Sequence, residues 1–160
     1  MLVKVLLASI AQFFEPERHL PGALGQVAED PVVLAEILVL FRIVLADGVV
    51  QPSQLTAFER ICEQHFGINR RDMPELHALL DSPKARSCDA KAFTLLGQLD
   101  MAARTTLLEH MVEIARASSD GAECDSRLIL RMADLLGLEP VLPELQRVPG
   151  AVEEKRQGYE

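Results

Sequence analysis

Apolar residues along this chain of 160 residues recur at helical spacing, and prolines, glycines and acidic turns separate the runs they form. Leu2, Val5, Leu6, Ile10 and Phe13 share one face of a first helix over residues 2–14, which Pro16 and Pro21-Gly22 end. The stretch to Glu29 reads as a glycine-bearing surface loop. Asp30-Pro31 opens the next helix. The aspartate caps free amides, and proline fits a first turn that needs none. From there to Ala46 the charges are Glu36 and Arg42 alone, so this helix is apolar nearly all round and belongs at the centre of the fold.

Asp47-Gly48-Val49-Val50 makes a turn, and Pro52 opens a helix with Leu55, Phe58, Ile61 and Cys62 inward and Gly67 as its stop. Asp72 is placed as the cap of a short helix carrying Leu76, Leu79 and Leu80, which Ser82-Pro83 ends. Another helix starts at Ser87 or Asp89 and runs through Phe93, Leu95 and Leu96. Asp100 begins a long helix to Ala117 with Leu107, Leu108, Met111, Val112 and Ile114 apolar. The last runs from Ser126 to Leu136 and stops at Gly137. Pro140, Pro143, Pro149 and Gly150 then lead into charges. The expected architecture is all-α: one domain over residues 1–147, a bundle of about seven helices, and a flexible tail over 148–160.

Ala46-Asp47-Gly48 has an echo in Ser119-Asp120-Gly121, so the chain reads as two copies of helix, acidic turn, helix. Pairing the two Asp-Gly phrases sets an offset of 73 (120 − 47), whereas the helices fit best at 71. At 71, Ile37, Leu40, Phe41, Ile43 and Ala46 fall on Leu108, Met111, Val112, Ile114 and Ala117, and Arg60-Ile61 on Arg131-Met132. The helix register is preferred, because one residue of slip turns every side chain by about 100°. The second turn is then remodelled relative to the first.

Composition narrows the class. Hydrophobic residues make up 49% and aromatics 4%, a mixture suited to helices packed on helices. The net charge of −8, from 24 acidic and 16 basic residues, repels phosphate backbones and argues against a nucleic-acid partner. Cys62, Cys88 and Cys124 are odd in number and lack metal or redox spacing, which fits a reducing, cytoplasmic setting. No apolar run is long enough to span a membrane. Residues 1–14 lack a convincing cleavage site and read as an amphipathic packing helix, with contact at the inner membrane surface as the alternative.

Ala46-Asp47-Gly48, its following helix and the stop at Gly67-Ile68 resemble the tellurite-resistance TerB family. The stretches Met111-Val112-Glu113-Ile114-Ala115 and 127–136 are similar to the second half of TerB-like proteins, so the resemblance covers most of residues 30–138. It implies an all-helical bundle, binding of divalent cations through acidic residues in the turns, and a stress-response setting. It carries no enzymatic reaction. The chain departs from the family pattern in both turns. A glutamate is expected seven residues after the first aspartate, and Gln54 stands there. In the helix register Ser118 and Ser119 replace the second Asp-Gly, while Asp125 occupies the expected glutamate position.

The candidate metal ligands are therefore Asp47 in the first turn and Asp120, Glu123 and Asp125 in and after the second. Hard cations need several converging oxygens, and three acids within six residues offer a start, although the spacing is not that of an EF-hand. The plainer reading makes Asp47 a turn residue bonded to local amides and the other three helix-start carboxylates. Glu36, Glu109 and Glu113 lie on largely apolar helices, with Arg42 and Arg116 as prospective partners or solvent as the simple alternative. His19, His65, His77 and His110 show no zinc-site spacing, and Ser118-Ser119 lacks a His-Asp pattern. Cys62 and Cys124 read as small core or turn residues.

Three functions compete. The first is a non-catalytic module that binds a divalent cation (Ca2+, Mg2+ or Mn2+) and recruits protein partners. The second is an accessory protein lying on a membrane through residues 1–14. The third is a metal-dependent enzyme, which needs an open metal position beside a pocket.

Overall fold

A computed structural model describes residues 20, 22–46, 48–118 and 123–138, without the side chains of 123–126. The predicted helix over 2–14, the tail and the outer limits of the domain lie outside these residues. The described elements are α1 (Gly22–Glu29), α2 (Pro31–Val44), α3 (Pro52–His65), a 3-10 turn η1 (Arg70–Asp72), α4 (Met73–Leu80), α5 (Pro83–Asp89), α6 (Ala92–Leu96), α7 (Met101–Arg116) and α8 (Glu123–Leu135). No strand occurs among the described residues.

α2 is the hub, packing against α1, α3, α5, α6 and α7. Its apolar sequence explains this: Leu34, Ala35, Ile37, Leu38, Val39, Leu40, Ile43 and Val44 are all buried. Each large side chain taken from water contributes about 1.5–3 kcal/mol, so an all-round apolar helix is stable only when surrounded. Asp30 starts it as expected, its Oδ1 accepting from Val32 N at 2.9 Å and Val33 N at 3.3 Å. Asp100 does the same for α7, accepting from Ala103 N at 2.8 Å. Gly48, Gly67 and Gly137 have φ of 72°, 69° and 70°, the left-handed backbone that glycine adopts without strain at a turn or helix end.

α2 and α3 form one hairpin, and α7 and α8 another. α3 runs antiparallel to α7: Gln51 meets Ser118, Arg60 meets Glu113 and His65 meets His110, in descending order along α7. α7 runs antiparallel to α8, with Arg104 near the start of α7 reaching Leu136 just beyond α8. At the offset of 71, Ile37 and Leu108, Leu40 and Met111, Ile43 and Ile114, and Ile61 and Met132 are buried in matched pairs.

Three local expectations are corrected. The segment before Glu29 is not a surface loop but helix α1, with Leu24 and Val27 buried. Its glycines hide an i, i+3 apolar pair, and Gly25 is needed because a Cβ there would lie 2.2 Å from the Leu20 carbonyl oxygen. Asp72 ends η1 and makes no side-chain capping bond to α4. The helix expected from Ser87 or Asp89 is instead two, Pro83–Asp89 and Ala92–Leu96. Pro83 both ends α4 and opens α5, because Ser82 caps the new helix by accepting from Ala85 N at 3.2 Å.

Candidate functional site

The end of α7 and the start of α3 share one end of the bundle. Ser118 Oγ, just past α7, donates to Gln51 Oε1, just before α3, at 3.2 Å. Chain direction explains the meeting. α2 and α7 both run antiparallel to α3, so the C-termini of both arrive where α3 begins. Beside this junction Leu45, Val49 and Val50 are 46%, 69% and 43% exposed, an apolar rim on the first turn. Gly48 is there for its backbone angle alone, since nothing lies within 4 Å of where a Cβ would stand.

Gln54, in the first turn of α3, is 1% exposed, and its Nε2 has no hydrogen-bond partner. Gln51 makes no side-chain capping bond to α3. Of the predicted ligands, Asp47 and Asp120 lie outside the described residues. Glu123 and Asp125 lie on the described backbone of α8, their side chains outside the description. No group of three or more His, Cys, Asp or Glu side chains placed to hold a metal occurs among the described residues. Gln54 stands where the family pattern expects a glutamate, so the first turn offers a divalent ion one anionic oxygen donor fewer.

Elsewhere the charged side chains find partners that sequence reasoning missed. Arg42 pairs with Asp89 at 2.6 Å and lies over the Phe93 ring at 5.6 Å, fastening α2 to α5 and α6. Glu113 pairs with Arg60. His77 Nε2 lies 3.1 Å from Glu59 Oε1, with its ring 5.9 Å from Phe41 and 6.3 Å from Phe58. His77 borders an open cleft of about 420 Å³ whose lining includes Leu38, Phe41, Leu80, Arg42, Arg86 and Asp81. These contacts join residues 18–53 positions apart, and neither helical spacing nor any motif marks them.

Burial sets the titration of several groups. Glu36 is pushed up to about 7, by loss of water first and by Asp30 second. His110 is lowered by burial and by the His65 ring 4.7 Å away, against the opposing pull of Glu113 and Glu109. Cys62 is pushed up to about 12 by burial and then by Glu59, and Cys88 is also raised, so both are inert core thiols. Cys88 Sγ donates to the Pro31 carbonyl at 3.3 Å.

The fold defines an all-helical bundle in which the end of α7 is bonded to the start of α3. The profile of the family described as "Tellurite resistance protein TerB" matches residues 33–146, which covers both hairpins, and the chain belongs to this family. No curated protein and no solved structure matches the chain.

Proposed function

We propose that this TerB family member is a non-catalytic binding module of the cytoplasm. Its joined corner recruits a divalent cation through the acidic second turn and a protein partner through the apolar first turn. What supports this reading most is the Ser118–Gln51 bond. It ties Ser118, from which the sequence continues toward Asp120, Glu123 and Asp125, to Gln51, which follows the exposed Val49 and Val50. Exposed apolar residues beside charges are the ordinary composition of a protein contact. The free, buried Cys62 and Cys88 suit a reducing compartment. No described helix is long and apolar enough to cross a membrane.

Calorimetric titration with Ca2+, Mg2+ and Mn2+ tests the cation. Heat that disappears in Asp120→Asn/Asp125→Asn supports it, and absence of both heat and a melting shift at millimolar metal removes it. The apolar rim is tested with a biotinylated chain and its Val49→Asp/Val50→Asp variant on a stress-induced cell extract. A specific companion retained by the parent and lost by the variant supports recruitment, and identical retention by both argues against it.

A further inference from the structure

Helix pairing brings together two histidines that lie 45 positions apart in the chain (110 − 65). His65 closes α3, and His110 sits within α7. The Arg60–Glu113 ion pair fixes the register of these antiparallel helices about one turn away. The His65 and His110 rings then stand 4.7 Å apart, centre to centre, at 70°. His65 is exposed and His110 half-buried, so the pair opens to solvent. Among the described residues the hydrogen-bonded histidine ring is that of His77, and the ring nitrogens of His65 and His110 carry no such bond.

The spacing suits a chelate. A metal–imidazole bond of about 2.0–2.1 Å puts the ring centres of two imidazoles on one ion roughly 4.5–5.2 Å apart, for bond angles of about 90–110°. The observed 4.7 Å falls inside that span. Burial and the neighbouring ring hold down the proton affinity of His110, which leaves the lone pair a metal needs. Glu113 and Glu109 act on the same ring with negative charge, which draws a cation to this face. We propose that His65 and His110 form a two-nitrogen site for a divalent transition-metal ion, Cu2+, Ni2+ or Zn2+, that fastens α3 to α7. Imidazole nitrogen suits these ions, whereas Ca2+ and Mg2+ take oxygen ligands. No group of three or more metal-ligating side chains occurs among the described residues, so water completes the shell and Cu2+ binds more tightly than Ni2+ or Zn2+. The pair lies eight residues, about 12 Å, along α7 from Ser118, and it does not rest on the acidic turns or on the binding reading above.

Thermal unfolding and calorimetry of the full chain, freed of metal and held at pH 7.5, test this with Cu2+, Ni2+, Zn2+ and Ca2+. About 1 mM Ni2+ is expected to raise the melting temperature of the parent by at least about 3 °C. His65→Gln and His110→Gln are each expected to lose most of that rise and to bind Ni2+ at least about tenfold more weakly. His77→Gln is expected to keep both. Paramagnetic resonance of the Cu2+ complex is expected to show two imidazole nitrogens in the parent and one in either variant. If His110→Gln does not fold, the exposed His65 carries the test through His65→Gln and His65→Asn. A parent melt unmoved by all three transition ions overturns the proposal, as does a Ni2+ rise unchanged in His65→Gln or equally lost in His77→Gln. A Ni2+ response in a parent that takes no Ca2+, Mg2+ or Mn2+ supports the histidine pair and counts against the carboxylate reading.

Discussion

Ser118 and Gln51, 67 residues apart, are joined by a hydrogen bond of 3.2 Å that ties the end of α7 to the start of α3. It is a side chain to side chain bond from one hairpin to the other. Such a bond is worth about 0.5–1.5 kcal/mol net. A double-mutant cycle of Gln51→Ala and Ser118→Ala, read by urea unfolding, is expected to return a coupling within that range. Strict additivity of the two single changes contradicts the bond.

Glu36 makes stability fall as pH rises. An ordinary glutamate ionises near 4.5, and this one near 7. Below 4.5 both folded and unfolded chains hold the proton. Between 4.5 and 7 the unfolded chain ionises first, so folding loses free energy, and above 7 the full penalty applies. Glu36→Gln is therefore expected to stabilise the protein by about 2 kcal/mol at pH 8 and by little below pH 4.5. A variant no more stable than its parent at pH 8 contradicts this.

His110 acts in the other direction. Its folded pKa is lowered, so its contribution is complete above the unfolded value of 6.5 and is lost as pH falls below it. His110→Phe keeps a ring against His65 and cannot take a proton. The difference in melting temperature between parent and variant is expected to shift against the parent from pH 7 to pH 5. A difference independent of pH in that window rules the mechanism out. Taking differences cancels the opposite trend of Glu36.

Arg104 holds three carbonyls at once: Leu99 O at 2.9 Å, Gly97 O at 2.8 Å and Leu136 O at 3.3 Å. It thereby ties the α6–α7 turn to the end of α8. Arg104→Ala is expected to cost about 2 kcal/mol in urea unfolding, from lost charge-assisted bonds and carbonyls left unpaired. Arg104→Lys is expected to recover less than half, because an ammonium lacks the planar fork that reaches three acceptors. Full recovery by lysine makes charge, not geometry, the operative feature.

Much of the bundle was legible because helices declare themselves locally. Asp30-Pro31, Asp100, Gly67 and Gly137 mark helix ends through backbone chemistry that needs no distant partner. The all-round apolar run of α2 announces a buried hub, and it is one. α1 escaped because Gly22 and Gly25 read as loop residues. Gly25 is in fact demanded by its close approach to Leu20, a contact no spacing reveals. The break between α5 and α6 escaped for a related reason, since Ser82-Pro83 is at once a stop and a start. Of the candidate site, the acidic turns were legible as chemistry, and their neighbours were not. Nothing local marks Gln54 as buried without an acceptor, Glu113 as the partner of Arg60, or His77 as the partner of Glu59.

The sequence by itself determined that this protein is helical and that α2 lies at the centre. Each of these follows from the spacing of apolar residues and from backbone preferences within a few positions. Only the tertiary structure decided that the start of α3 meets the end of α7, which ion pairs form, and which polar group is sealed inside. Those outcomes depend on how helices far apart in the chain pack together, and packing is set by the joint shape of many side chains rather than by any one stretch.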